Sequence, residues 1–217
     1  MFVRKFLFLS MTVCASVFGA SVGTCTQGTL SGLIGNTCGL GDKIFTNFSY
    51  TGNVDPANVG VDFQMAGNGT EFRIILAPTT GAGFFTNFTF TDTITVVPGL
   101  APNIAPAAYQ IVSVKDQSNF SAAAGSAGLL NIVNSSGPTY NLVPGNETGG
   151  ATAIAPVNTV TTTAKLTGAN GTGSASPGLS SFELGYLQAN TAVPEPAPYA
   201  LIGIGLLGLG VLRKRRA

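Results

Sequence analysis

The sequence predicts an all-β fold, an antiparallel β-sandwich or jelly roll. Three observations predict it. Apolar side chains recur at every second position over several short runs, the period of a half-buried strand. Gly, Pro and Asn clusters separate these runs at short intervals. The chain is poor in charge and rich in Gly, Thr, Asn, Ser and Ala, while its phenylalanines and β-branched residues supply a core.

The strands follow in chain order. Ile44 to Tyr50 is the first candidate, and Val59, Val61, Phe63 and Met65 form a one-sided set after it. Phe72, Ile74 and Leu76 alternate with Glu71, Arg73 and Ile75. Gly67-Asn68-Gly69 between these two sets is a hairpin signal. Phe84, Phe88, Phe90, Ile94 and Val96 share one parity, and Asn87, Thr89, Thr91, Thr93 and Thr95 share the other. Asp92 interrupts the apolar face and marks a bulge or a bend. Ala108 to Asp116, Leu129 to Val133, Thr139 to Val143, Val157 to Leu166 and the set Phe182, Leu184 and Tyr186 complete the list. Pro98-Gly99, Gly137-Pro138 and Pro144-Gly145 read as turns. The stretch from Phe120 to Leu130 is either a short helix or a loop, and residues 144–156 and 168–180 read as long loops.

Both ends carry segments outside this pattern. Residues 1–23 read as a secretory signal peptide: Arg4-Lys5 is the basic start, Phe6 to Phe18 the apolar stretch, and Gly19, Ala20, Ser21 and Gly23 the small residues for cleavage. Cys14 follows Val13, which does not suit a lipoprotein signal. The domain is expected over residues 24–187 and an extended linker over 188–196. In that linker Pro194 and Pro196 block helix and hold Glu195 on an extended segment, in the order Val193-Pro194-Glu195-Pro196. Residues 197–217 read as a transmembrane segment with a basic tail. Ala197 to Leu212 spans about 24 Å as a helix, slightly less than a hydrocarbon core of roughly 30 Å. Four glycines weaken that helix, which suits a transient, processed anchor. Arg213, Lys214, Arg215 and Arg216 act as a basic stop-transfer cluster and keep their end cytoplasmic.

This tail resembles the PEP-CTERM sorting signal of Gram-negative, biofilm-forming bacteria. Val193 to Pro196 matches its Pro-Glu-Pro box, Leu201 to Leu212 its membrane segment, and Arg213 to Arg216 its basic end. The resemblance implies cleavage near the box by an exosortase, a membrane cysteine protease-like transpeptidase. It also implies delivery to the cell surface or the exopolysaccharide matrix. A less specific resemblance covers most of the body. Cys25-Thr26-Gln27-Gly28-Thr29-Leu30, Cys38-Gly39-Leu40-Gly41-Asp42-Lys43-Ile44-Phe45 and the late Gly171-Thr172-Gly173-Ser174-Ala175 to Ser181-Phe182 look like segments shared among other PEP-CTERM proteins. It implies a common fold and no biochemical activity.

Charge and cysteine content narrow the function. Between the two end segments, four basic residues (Lys43, Arg73, Lys115, Lys165) stand against eight acids, a net charge near −4 that disfavours nucleic acid. Cys25 and Cys38, 13 apart in an exported chain, predict a disulfide worth about 3 kcal/mol in the chain-entropy account.

The search for chemistry finds no catalytic constellation. The chain has no histidine, which removes Ser-His-Asp and Cys-His nucleophiles and histidine-ligated metals. Asp42, Asp55, Asp62, Glu71, Asp92, Asp116, Glu147 and Glu183 could in principle form a glycosidase acid pair, yet they are scattered, with Asp42, Asp55, Asp116 and Glu147 in expected turns. Asp42 and Asp116 could offer oxygen to Ca²⁺, but no calcium-loop pattern surrounds them, so no metal or cofactor is expected. Tryptophan is absent, and Tyr50, Tyr109, Tyr140 and Tyr186, with Phe48, Phe84, Phe85, Phe88, Phe90 and Phe120, are expected in the core rather than on a sugar-stacking surface. Seven Asn-x-Ser/Thr sequons offer acceptors to any glycosylating host.

The expectation is therefore a non-enzymatic, exported surface or matrix protein with a structural or adhesive role. Its partners would be an exosortase, the membrane transiently through the C-terminal segment, and exopolysaccharide. The alternative is a carbohydrate-binding module or an acid-pair glycosidase acting on matrix polysaccharide.

Overall fold

The computed structural model describes residues 22–97, 109–121, 128–168 and 178–190. The segments read as signal peptide and sorting helix lie outside these residues, apart from Val22 and Gly23. Thirteen strands are described: β1 (Gly23–Thr24), β2 (Gly28–Thr29), β3 (Cys38–Leu40), β4 (Lys43–Gly52), β5 (Val59–Ala66), β6 (Glu71–Pro78), β7 (Phe88–Val96), β8 (Tyr109–Phe120), β9 (Leu129–Asn134), β10 (Thr139–Leu142), β11 (Thr148–Val157), β12 (Thr159–Thr167) and β13 (Leu179–Asn190). Three one-turn 3₁₀ segments are the only helical elements among the described residues. The strands form two sheets, in the orders β1-β3-β4-β7-β12-β9-β10 and β11-β8-β13-β6-β5-β2. All pairings are antiparallel except β1 with β3.

The period-two sets become the inner faces, except that Met65, the last of the β5 set, is exposed. Phe88, Phe90, Ile94 and Val96 of β7, Phe72, Ile74 and Leu76 of β6, and Phe182 and Leu184 of β13 belong to one buried core. Aromatic rings join the sheets across it: Phe88 stacks on Phe182 at 4.9 Å, and Phe45 meets Phe63 edge-on at 5.3 Å. The Gly67–Gly69 signal is the β5–β6 turn, closed above the Ala66–Glu71 pair, with Gly67 and Gly69 both at positive φ. The outer parity of β7 forms a threonine ladder with β12, in which Thr91, Thr93 and Thr95 face Thr163, Thr161 and Thr159 with hydroxyl oxygens 3.0–3.3 Å apart.

Asp92 does mark a bulge, and the extra residue sits opposite it on β4, where the register slips between Thr46 and Ser49. Asn47 takes φ of 57° there, a region Asn tolerates better than most residues. The extra residue reverses the parity of β4, so that Phe45 and Phe48 both point inward.

Four further expectations are corrected. Residues 148–157, all but the last of them in the stretch read as a loop, form β11, an edge strand on β8 with two register shifts. Its Gly, Ala and Thr content escapes the apolar pattern because an edge strand buries little, and Pro156 suits an edge that must not pair further. Phe84 is exposed and Phe85 takes its place in the core, because residues 84–87 precede β7 and Phe85 bridges to Leu179 instead. Asp116 lies within β8 facing inward, not in a turn. β13 continues to Asn190, three residues into the segment read as linker.

One edge of the sandwich is closed by Tyr140, whose hydroxyl donates toward Val114 O at 3.0 Å and also lies 3.3 Å from Gly150 O. Its ring lies against Gly149, where a Cβ would stand 2.3 Å from Tyr140 Cδ1. Replacing Gly149 with Ala should therefore destabilise the domain by about 1–3 kcal/mol. A lower denaturation midpoint at unchanged m-value is the expected result.

Candidate functional site

Of the residues singled out in the sequence, Val193, Pro194, Glu195, Pro196, Arg213, Lys214, Arg215 and Arg216 lie outside the described residues. Cys25 and Cys38 are joined by a disulfide. It ties the chain just after β1 to β3, where Cys25 N also donates to Gly39 O.

Most of the carboxylates divide between the interior and the outer face of the second sheet, where Glu71, Glu147 and Glu183 lie near Arg73 or the hollow beside it. Asp92 and Asp116 are buried, from β7 of the first sheet and β8 of the second. A chain of polar groups runs between them. The Tyr186 hydroxyl donates toward Asp92 at 3.2 Å and lies 2.8 Å from the Thr162 hydroxyl. Thr162 donates to Asn134 Oδ1 at 2.8 Å, and Asn134 Nδ2 donates to Asp116 Oδ2 at 3.1 Å. The chain crosses the sandwich three times, from Asp92 to Tyr186, back to Thr162, and again from Asn134 to Asp116. Burial pushes Asp92 up to about 8, against the Tyr186 hydrogen bond that pulls it down and with help from the charge of Asp116. Burial likewise pushes Asp116 up to about 7, against the hydrogen bond from Asn134. Burial and the charge of Asp92 hold the Tyr186 phenol well above its usual value. Asp116 is thus enclosed and hydrogen-bonded, not placed as a surface ligand for Ca²⁺.

A second buried polar group lies where β4 begins. Lys43 is fully enclosed. Its ammonium is 2.5 Å from Asp42 Oδ1, donates to Gln188 Oε1 of β13, and sits 4.3 Å from the centre of the Phe72 ring. Gln188 is fixed in turn by Nε2 donating to Gly69 O and its backbone N–H donating to Thr70 O, both at 2.8 Å. Desolvation lowers the Lys43 pKa, opposed by the hydrogen bond and charge of Asp42. Asp42 is in the turn expected of it, but its carboxylate is taken up by Lys43. Sequence reasoning missed this cluster because Gln188 lies 145 residues away and beyond the expected end of the domain.

The outer face of the second sheet carries Arg73, 2.8 Å from Glu71 and 3.4 Å from Glu183. The charge and hydrogen bond of Arg73 hold Glu71 below the usual carboxylate range. A surface hollow beside them is lined by Gln117, Asn119, Glu147, Ser181 and Glu183. The described tyrosines form no exposed row: Tyr140 and Tyr186 are buried, Tyr50 is half-buried and stacked on Phe88, and Tyr109 is half-buried. Among the described residues no group of three or more His, Cys, Asp or Glu could hold a metal ion, and no helix is long and apolar enough to cross a membrane.

Against this scaffold, residues 192–216 match the PEP-CTERM protein-sorting motif. The chain carries the signal of an exported protein processed at the membrane by an exosortase. A comparison with curated proteins finds no match. The motif begins two residues after β13 ends.

The buried carboxyls set a pH dependence. Asp92 and Asp116 bind protons more tightly folded, with values of about 8 and about 7, than unfolded at about 3.9. Their stabilising contribution is complete below the unfolded value and is lost as pH rises through the folded ones. Glu71, with its lowered value, acts only in the acid range below that window. The melting temperature should fall by several degrees from about pH 5 to about pH 9, and Asp92→Asn should flatten that fall. Thermal unfolding across this range is the check.

Proposed function

We propose that the protein is a structural or adhesive component of the cell surface or exopolysaccharide matrix of a Gram-negative bacterium, not an enzyme. The signal peptide over residues 1–23 directs export. The segment 197–217 holds the chain transiently in the inner membrane until an exosortase cleaves near Val193-Pro194-Glu195-Pro196 and releases the domain outward. The observation that carries this reading is the sorting motif at residues 192–216, two residues beyond the end of a central strand. The domain ends beside the motif, and Pro194 and Pro196, which disfavour helix, would keep the cleavage site clear of the fold. The threonine ladder on the outer face of the first sheet offers matrix polymers a charge-poor hydroxyl surface.

Intact mass of the protein from surface and medium fractions of its native host tests this. The expected result is loss of the residues beyond the Pro-Glu-Pro box, with retention of the full tail in the inner membrane when Pro194, Glu195 and Pro196 are all replaced by Ala. A wild-type tail found whole and only in the inner membrane would overturn the reading.

A further inference from the structure

Lys43 is an unusual residue to find fully enclosed. Lysine is almost never fully buried, because taking its ammonium out of water costs several kcal/mol even when it is paired. The Asp42 carboxylate returns part of that cost, and the remaining partners are a carboxamide oxygen and an aromatic face. A hydrophobic residue would fill the same space more cheaply. What the position does supply is a set of reactants. An amine, a carboxamide and a carboxylate meet in an enclosed site.

We propose that Lys43 and Gln188 form an intramolecular isopeptide bond, with Asp42 as the catalytic acid and base. The ammonium first passes a proton to Asp42, giving a neutral amine and a carboxylic acid. Desolvation is the leading cause that lowers the lysine pKa, which favours the neutral amine. The Nζ lone pair then attacks Cδ of Gln188, forming a C–N bond while the carbonyl electron pair moves to Oε1. Collapse of this tetrahedral centre breaks the Cδ–Nε2 bond. Of the two protons that Nζ gives up, Asp42 passes one to Nε2 and keeps the other, and ammonia leaves. One amine and one primary amide become one secondary amide and one ammonia, with no oxidant, reductant or cofactor consumed.

The geometry favours the forward step. Lys43 Nζ already touches the Gln188 carboxamide through Oε1, and Asp42 Oδ1 is 2.5 Å from the same nitrogen. Gly69 O and Thr70 O fix the side chain and backbone of Gln188, and the Phe72 ring covers Nζ. Two reactants held this way gain the high effective concentration of an intramolecular reaction. The bond would join β4 of the first sheet to β13 of the second, two residues before β13 ends. Together with Cys25–Cys38 it would give the C-terminal strand a covalent path into the N-terminal part of the domain. Force applied through the tail would then bypass the hydrogen bonds of β13.

The test is peptide mass mapping of the purified full chain after reduction and trypsin digestion. The expected result is no cleavage at Lys43. A branched species should join the Lys43 peptide to a peptide containing Gln188, lighter than the sum of the two by one ammonia. Cleavage after Lys43, with both linear peptides at full mass, overturns the proposal. The Asp42→Asn variant, checked for folding by circular dichroism and for its disulfide, should yield the linear peptides alone. A branched peptide in that variant would remove Asp42 from the mechanism as stated. These readouts concern residues 42, 43 and 188 and leave the sorting of residues 192–216 untouched, so this proposal and the functional one fail separately.

Discussion

Three inward side chains of β13, the strand at the middle of the second sheet, tie the two sheets together. Phe182 stacks on Phe88, Tyr186 reaches Asp92 and Thr162, and Gln188 receives Lys43. All three contacts cross to the first sheet. At Phe182 the contact is apolar and tolerates sliding. At Tyr186 and Gln188 it is polar and desolvated, and there each group must find its partner or lose its hydration uncompensated. The polar bridges therefore fix how one sheet is set on the other, while the aromatic cluster supplies most of the cohesion.

That arrangement bears on how the molecule is used. The sorting motif starts two residues after β13, so the strand that joins the sheets also leads to the segment an exosortase processes. β13 pairs on both sides, with β8 over most of its length and with β6 in its centre. Gly185 lets it approach β8 closely, since a Cβ there would stand 2.7 Å from Lys115 O. A tail attached to such a strand passes load into the centre of the fold and not to an edge. The edges are short at β1 and β2, and broken by register shifts and Pro156 at β11, which limits strand addition between copies.

The parity of side chains along β5, β6, β7 and β13 could be read in the sequence because each inner face is dominated by apolar residues. Alternation failed to reveal what depends on a partner. Phe45 and Phe48 are on opposite parities and yet both buried, and the bulge at Asn47 reconciles them. β11 carries no apolar rhythm because one neighbour and little core are all it needs. Asp116 looked like a turn residue, although it is an inward position of a long strand whose Oδ2 accepts from Asn134 of the facing sheet. Lys43 gave no sign of burial, since Gln188 is brought to it only by the complete topology. The sorting residues were legible for the opposite reason. Their signal is local, a box, an apolar run and a basic cluster in sequence order, and owes nothing to the fold.

Native-state hydrogen exchange, resolved to single strands, tests the central role of β13 most directly. The amides from Phe182 to Leu187 should be among the slowest in the domain, and they should exchange only on global unfolding, with the same free energy as the paired residues of β7. If β13 instead exchanged by local opening at the rate of the edge strand β11, with β7 and β12 still protected, it would not be the element that holds the sheets together.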